Sequence, residues 1–336
     1  MPTKRSRPGW LGWLLLAAVP AAVLAAVRPA VPVDPASAIV EAFRDHRIVA
    51  IGDAHGDQQG EAFQLGLIRD PRITAVVSDI LIETGNSRGQ DVVDRFVRGE
   101  DVPREALQAV WLDTTQQQVA TLDVPAVVTA VRSVNATLPA DRRLRVLVGE
   151  PPIEWARLHT AEELRAWEAD PAWDRDAFAV NLLRRDVLAK NRRALAFYGS
   201  AHLFRKVVDH SIVTLLESEK TPVFTIWTNA AAELSSLQAD VASWPVPSLT
   251  LVNGTTLGQA GLSIYLGPRA GDVSPQWLAP MEEQFDAVLY LGPLASITFS
   301  RPPAWPCTEP ALPERLRRLA LRAPALADRI KQNCAH

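Results

Sequence analysis

The chain has 336 residues, 48% of them hydrophobic and 22% charged, enough apolar material for one large core or two modest ones. Its net charge of -3 at neutral pH supplies no basic footprint, which sets nucleic-acid binding aside.

The chain begins with Lys4, Arg5 and Arg7, followed by an uncharged stretch from Gly9 to Val27. Basic residues, an apolar run approaching the ~20 residues of a membrane span, and a Pro-rich exit follow one another in export order. Residues 1–30 therefore read as a signal peptide or as a membrane anchor with its basic end in the cytoplasm, an apolar helix through residues 9–27. Val23-Leu24-Ala25 offers a small-residue cleavage signal. Either way the expected location is membrane-anchored or exported, periplasmic or otherwise extracytoplasmic.

Residues 31–300 are expected to form the α/β domain. A short helix, 36–45, leads into Ile48-Val49-Ala50-Ile51, an apolar run that reads as a buried strand and ends in Gly52-Asp53-Ala54-His55-Gly56. Residues 58–69 suit an amphipathic crossover helix, and Pro71 ends it. Residues 75–82 form a second strand running into Glu83. Helices over 90–111, interrupted near Asp101 and Pro103, and over 125–138 precede a third strand, 144–148, which stops at Gly149-Glu150-Pro151-Pro152. A long charged helical region spans 160–193. A strand then runs into Tyr198-Gly199-Ser200-Ala201-His202, and an amphipathic helix over 203–219 follows. Strands over 221–228 and 285–292 flank a Gly-, Ser- and Thr-rich stretch, 248–280, with no clear assignment. The alternation predicts a mostly parallel central sheet flanked by helices. Residues 301–336 read as a Pro-rich tail with a helix over 314–322. Cys307 and Cys334 are the only cysteines, and in an exported chain they are expected to pair.

Six histidines are present, and two of them, His55 and His202, follow a strand in the pattern Gly-x-x-His. A lone His in that position is most often a structural hydrogen-bonder. Two pseudo-equivalent strand–Gly-x-x-His units change the reading, because parallel strands deliver their carboxyl ends to one crevice. Glu83, straight after the second strand, belongs to the same sheet edge. Two His and a carboxylate suit a divalent transition metal, with His55, Glu83 and His202 as ligands to Mn, Co or Zn, or a metal-free acid/base site with the same three residues catalytic. Asp53 and Glu150 are further candidates at the edge for holding a cofactor. His46 at a helix end, His210 within a helix and the Arg185–Asp186 pair read as structural. A small-molecule or peptide substrate is the expected partner.

Ile51-Gly52-Asp53-Ala54-His55-Gly56 also looks like the opening motif of calcineurin-like metallophosphatases. The later motifs of that family are missing: Gly271-Asp272-Val273-Ser274 lacks the second acid, and Gly85-Asn86-Ser87 lacks the histidine. Too few ligands remain for a two-metal centre.

The order Gly52-Asp53-Ala54-His55, Ile82-Glu83, Gly199-Ser200-Ala201-His202 resembles the Tiki/ChaN-like superfamily, which includes haem-binding uptake ChaN-like, TraB/Tiki and erythromycin-esterase-like proteins. Arg185-Asp186-Val187-Leu188-Ala189 is similar to a helix that precedes the second His in ChaN-like members. The resemblance covers about residues 36–300 and implies an α/β fold with both His-bearing strands feeding one cleft. It implies either hydrolysis of an ester or amide bond, metal-dependent or His/Glu-based, or non-enzymatic binding of haem or a metal. In the haem case the histidines or Tyr198 would be axial ligands. The chain departs from ChaN-like lipoproteins in having no Cys after its apolar start, and from the esterases in having Asp53 where Glu is usual.

Overall fold

A computed structural model describes residues 26–115, 124–267, 275–300, 307 and 311–334. The apolar segment 9–27 therefore lies almost entirely outside the described residues. Among the described residues no helix is long and apolar enough to cross a membrane.

Seven strands make one sheet in the order β3-β2-β4-β1-β5-β7-β6: β1 Ile48–Asp53, β2 Asp79–Asn86, β3 Arg145–Glu150, β4 Ala194–Gly199, β5 Val223–Asn229, β6 Ser248–Leu251 and β7 Ala287–Tyr290. All neighbours pair in parallel except β6 with β7. Every residue of β1, β2 and β4 is buried, as continuous apolar runs with both faces covered require. Ile48 and Ala50 face one core layer, with Val180, Leu183, Val213 and Leu216. Val49 and Ile51 face the other, with Leu67, Ile68, Val127 and Val131. Each fully buried Val, Leu or Ile contributes about 1.5–3 kcal/mol.

The connections place the site. The helix after β1, Gln58–Arg69, crosses one face toward β2, and the helix after β4, Ile212–Ser218, crosses the other toward β5. Adjacent parallel strands whose outgoing connections diverge to opposite faces leave a crevice beyond their carboxyl ends. Here those strands are β1 and β4, the two that carry the histidines.

Several elements depart from the sequence expectation. The second strand is displaced four residues, starting at Asp79 because Pro71–Thr74 forms a helical turn and residues 75–77 lead out of it. The long helix over 160–193 is broken into two α-helices, Ala161–Ala169 and Arg175–Leu182, a π-turn Leu183–Val187, and 3-10 turns at Pro171–Trp173 and Leu188–Lys190. Asp170-Pro171 and the Asp174 cap break it. Helix 203–219 shortens to Ile212–Ser218, started by the Ser211 capping box. The unassigned stretch contains β6, which pairs antiparallel with β7 and exchanges backbone hydrogen bonds with Val33. The expected disulfide, Cys307–Cys334, is present with the two Cα atoms 5.2 Å apart.

Candidate active site

The register of β1 against β4 sets Gly52 opposite Tyr198 and Asp53 opposite Gly199. The two Gly-x-x-His copies are thus offset by one residue and are not related by the strand register. They also leave their strands differently. After β1 the chain turns through Gly56, at φ +83°, a conformation that glycine adopts without steric cost. After β4 it enters a short 3-10 turn, Ser200–Leu203.

The imidazoles nevertheless meet. His55 Nδ1 lies 2.8 Å from Asp53 Oδ2, and His202 Nδ1 lies 2.5 Å from Asp176 Oδ1. Both Nε2 atoms turn toward Glu83, His55 at 3.8 Å from Oε2 and His202 at 3.5 Å from Oε1. Glu83 extends from β2 and is held independently of them: Arg175 Nη2 donates to Oε1 at 2.8 Å, and the Gly199 backbone N–H donates to Oε2 at 2.6 Å. Gly199 is required by space. A Cβ there would come within 3.1 Å of His55 Cε1, His55 Nε2 and Glu83 Oε2.

These contacts fix the charges. Burial opposes ionisation of Glu83, but His202, Arg175 and His55 hold its carboxyl far below the usual range. Burial also opposes charge on His202, yet the Asp176 hydrogen bond and Glu83 raise it to about 9. The Asp53 hydrogen bond raises His55, against burial and the neighbouring His202. His202 is therefore an imidazolium at neutral pH. His55 can lose its proton while keeping Nδ1–H on Asp53, since the partner of one ring nitrogen selects the tautomer.

The histidines open on a cavity of about 570 Å³. Asp53, His55 and His202 sit at its polar end. Phe204, Trp227, Tyr265, Leu266, Trp277 and Phe299 line the rest.

Of the residues predicted from sequence, His55, His202, Glu83 and Asp53 come together. Glu150 and Tyr198 do not line the cavity. Glu150 is fully buried at the end of β3, where the Thr115 backbone N–H and hydroxyl both donate to its Oε1. Burial raises its pKa. The Tyr198 hydroxyl points into the core, in the space a Cβ on Gly149 would occupy, and burial pushes its pKa well up. It is not placed to ligate haem. Asp186 pairs with Arg185, Lys190 and Arg145, away from the histidines. His46 bonds the Ala42 carbonyl that ends its helix, and His210 pairs with Asp174. Sequence reading missed Arg175 and Asp176, consecutive residues in the first turn of helix Arg175–Leu182. Nothing local distinguishes them from other charged residues of that region.

A metal does not fit this donor set. The aspartates on both Nδ1 atoms would leave the Nε2 atoms free to ligate, but both oxygens of Glu83 already accept hydrogen bonds, one from a guanidinium that would repel a cation. Among the described residues no group of three or more His, Cys, Asp or Glu side chains could hold a metal ion. No step below passes through one.

No protein-family model and no curated protein matches the chain. Solved structures do. A succinoglycan biosynthesis protein superposes with a TM-score of 0.54 over 82% of this chain and 96% of its own, at 11% identity. A protein from Bacillus cereus superposes with a TM-score of 0.50 over 81% and 96%, also at 11% identity. An erythromycin esterase mutant in its open conformation is also matched, at a TM-score of 0.47 and 12% identity over 75% of this chain and 92% of that one. So is haem-binding ChaN of Campylobacter jejuni, at 0.36 and 10% over 75% and 90%. At 10–12% identity the likeness is one of fold alone.

Proposed function

We propose that the protein is a metal-independent, His/Glu-based hydrolase that directs water onto the carbonyl of an ester or amide. One observation carries the reading: two imidazoles, each oriented at Nδ1 by its own aspartate, turn their Nε2 atoms onto one ionised carboxylate at the polar end of a cavity.

The roles follow from the charges. Neutral His55, with its proton on Nδ1 facing Asp53, has a lone pair at Nε2 and acts as general base. It takes a proton from water as the water oxygen bonds to the carbonyl carbon. The His202 imidazolium donates Nε2–H to the oxygen on which negative charge develops. As the carbon–leaving-group bond breaks, the protonated His55 returns its proton to the leaving oxygen or nitrogen, which balances the reaction. Glu83, kept anionic by Arg175 and the Gly199 N–H, orients both rings and stabilises their protonated forms. Two titratable groups of one kind in environments that separate their pKa values form an acid/base pair.

The Cys307–Cys334 disulfide favours an oxidising compartment, in keeping with the basic-then-apolar start of the sequence, and we place the domain outside the cytoplasm.

The test is a panel of esters and amides presented to the wild-type protein, His55→Asn and His202→Asn, each in EDTA. Turnover by the wild type and a loss of at least a hundredfold in both variants supports the assignment. Equal rates in all three, or dependence on an added metal, would overturn it.

A further inference from the structure

The polar and apolar parts of the cavity are segregated, and that separation bears on the substrate. Among the described lining residues the acids and imidazoles, Asp53, His55 and His202, all stand at the strand ends. Each is already bonded within the site, Asp53 to His55 and His202 to Asp176. Beyond them the described wall is built mainly from Phe204, Trp227, Tyr265, Leu266, Trp277 and Phe299, with no Lys, Arg or Glu; Thr228 Oγ1 and Trp227 Nε1 are polar atoms on it that lack a hydrogen-bond partner among the described residues.

The wall is also preorganised. Trp227 packs edge-on against Phe285 at 5.3 Å and Tyr265 at 6.4 Å, and stacks with Phe204 at 6.2 Å. Trp277 meets Phe204 edge-on at 5.9 Å. Such rings present a fixed apolar surface, so little conformational entropy is lost when a ligand settles on it. The apolar character continues outward: Phe299 is 41% exposed, and Leu278 and Ile264, neighbours of Trp277 and Tyr265, are 60% and 42% exposed.

Resting on the hydrolase reading, we infer that the substrate is an uncharged, lipophilic carboxylic ester whose acyl body lies along the aromatic wall while its carbonyl meets His55 and His202. Among the described lining residues, a carboxylate or phosphate on that body would lose its hydration with no Lys or Arg to receive it, and an ammonium would find no acid that is not already paired. A peptide would bring an N–H and a C=O with every residue to a wall that is mostly aromatic and aliphatic and has few polar groups to meet them. About 570 Å³ lies within the usual size of small-molecule sites and holds an acyl group well beyond acetyl.

Two measurements test this on the full chain. The first compares kcat/KM for p-nitrophenyl acetate, butyrate, octanoate and monosuccinate. Each buried methylene should raise kcat/KM about fourfold until the wall is covered, so butyrate, with two more than acetate, should exceed it by about fifteenfold. The anionic succinate ester should fall at least tenfold below butyrate, and Phe299→Ser should lower the octanoate-to-acetate ratio. The second measures binding of 2-decanone, an uncharged ketone that cannot be hydrolysed, by calorimetry. Binding by both wild type and His55→Asn is expected. A flat acyl series, a preference for the succinate ester, or failure to bind the ketone overturns the inference. Ketone binding without turnover of any ester would instead leave the lipophilic site standing and overturn the hydrolase reading.

Discussion

Arg175 donates from Nη2 to Glu83 Oε1 at 2.8 Å, a contact between a helix after β3 and the end of β2, 92 residues apart in sequence. Glu83 is 6% exposed, and Arg175 also interacts electrostatically with the buried Glu150. Removing one partner of a buried pair leaves an uncompensated charge, which costs about 3–5 kcal/mol. Arg175→Met should therefore lower unfolding free energy by about 3 kcal/mol in urea titrations and also reduce turnover. A change below about 1 kcal/mol would show that water, not Arg175, satisfies Glu83.

The pH dependence of kcat/KM should be a bell placed on the alkaline side of neutrality. Activity needs neutral His55 and protonated His202. It rises as pH passes the pKa of His55, which Asp53 holds above 6.5, and falls as His202 loses its proton at about 9. Asp176→Asn removes the strongest support of the His202 charge and should move the falling limb to lower pH. A rising limb that moves instead, with the falling limb fixed, would reverse the two roles.

Stability should share that alkaline limb. The folded pKa of His202 is raised from an ordinary 6.5 to about 9, so its contribution is fully present below about pH 6.5 and is lost as pH rises through 9. The span corresponds to roughly 3 kcal/mol. Chemical denaturation at several pH values between 6 and 10 measures it. His202→Gln should flatten the curve over that range, and an unchanged slope in that variant would assign the alkaline loss to another group.

The C-terminal helices are tied to the end of β3 through a loop. Arg322 donates to the Thr115 carbonyl at 2.6 Å and Arg318 pairs with Asp113, while Thr115 holds Glu150 at the end of β3. The disulfide closes a 27-residue loop around the helix Leu312–Arg322, for which chain entropy alone gives about 3.5 kcal/mol. Replacing Cys307 and Cys334 together with Ser should lower the midpoint of thermal unfolding and increase amide exchange in residues 111–115. Unchanged exchange there would mean that the tail docks without support from the disulfide.

What could be read from the sequence follows from where the signal lies. His55, Glu83 and His202 stand at the ends of apolar runs, and an apolar run that stops at polar residues marks the carboxyl edge of a buried strand whatever else the chain does. Asp53 came with His55. Arg175 and Asp176 lie among many charges in residues 160–193, and only the break at Asp174 turns that helix so that its first turn faces Glu83. Glu150 and Tyr198 were drawn to the site by their places near strand ends. Both are buried off the cavity: Thr115 donates to Glu150 Oε1, and the side chain of Tyr198 follows strand alternation into the core with Ala194 and Ala196. β6 was hidden because four residues at a sheet edge, beside Pro247, carry too short a pattern.

The central claim is that His55 and His202 act as one acid/base unit around Glu83. Rates of p-nitrophenyl butyrate hydrolysis in EDTA for His55→Asn, His202→Asn and the double variant test it most directly. Groups that act as a unit are strongly non-additive. The account predicts that each single change lowers kcat by at least a hundredfold and that the double variant is within about tenfold of either single one. Multiplicative losses, or full activity in either single variant, would contradict it.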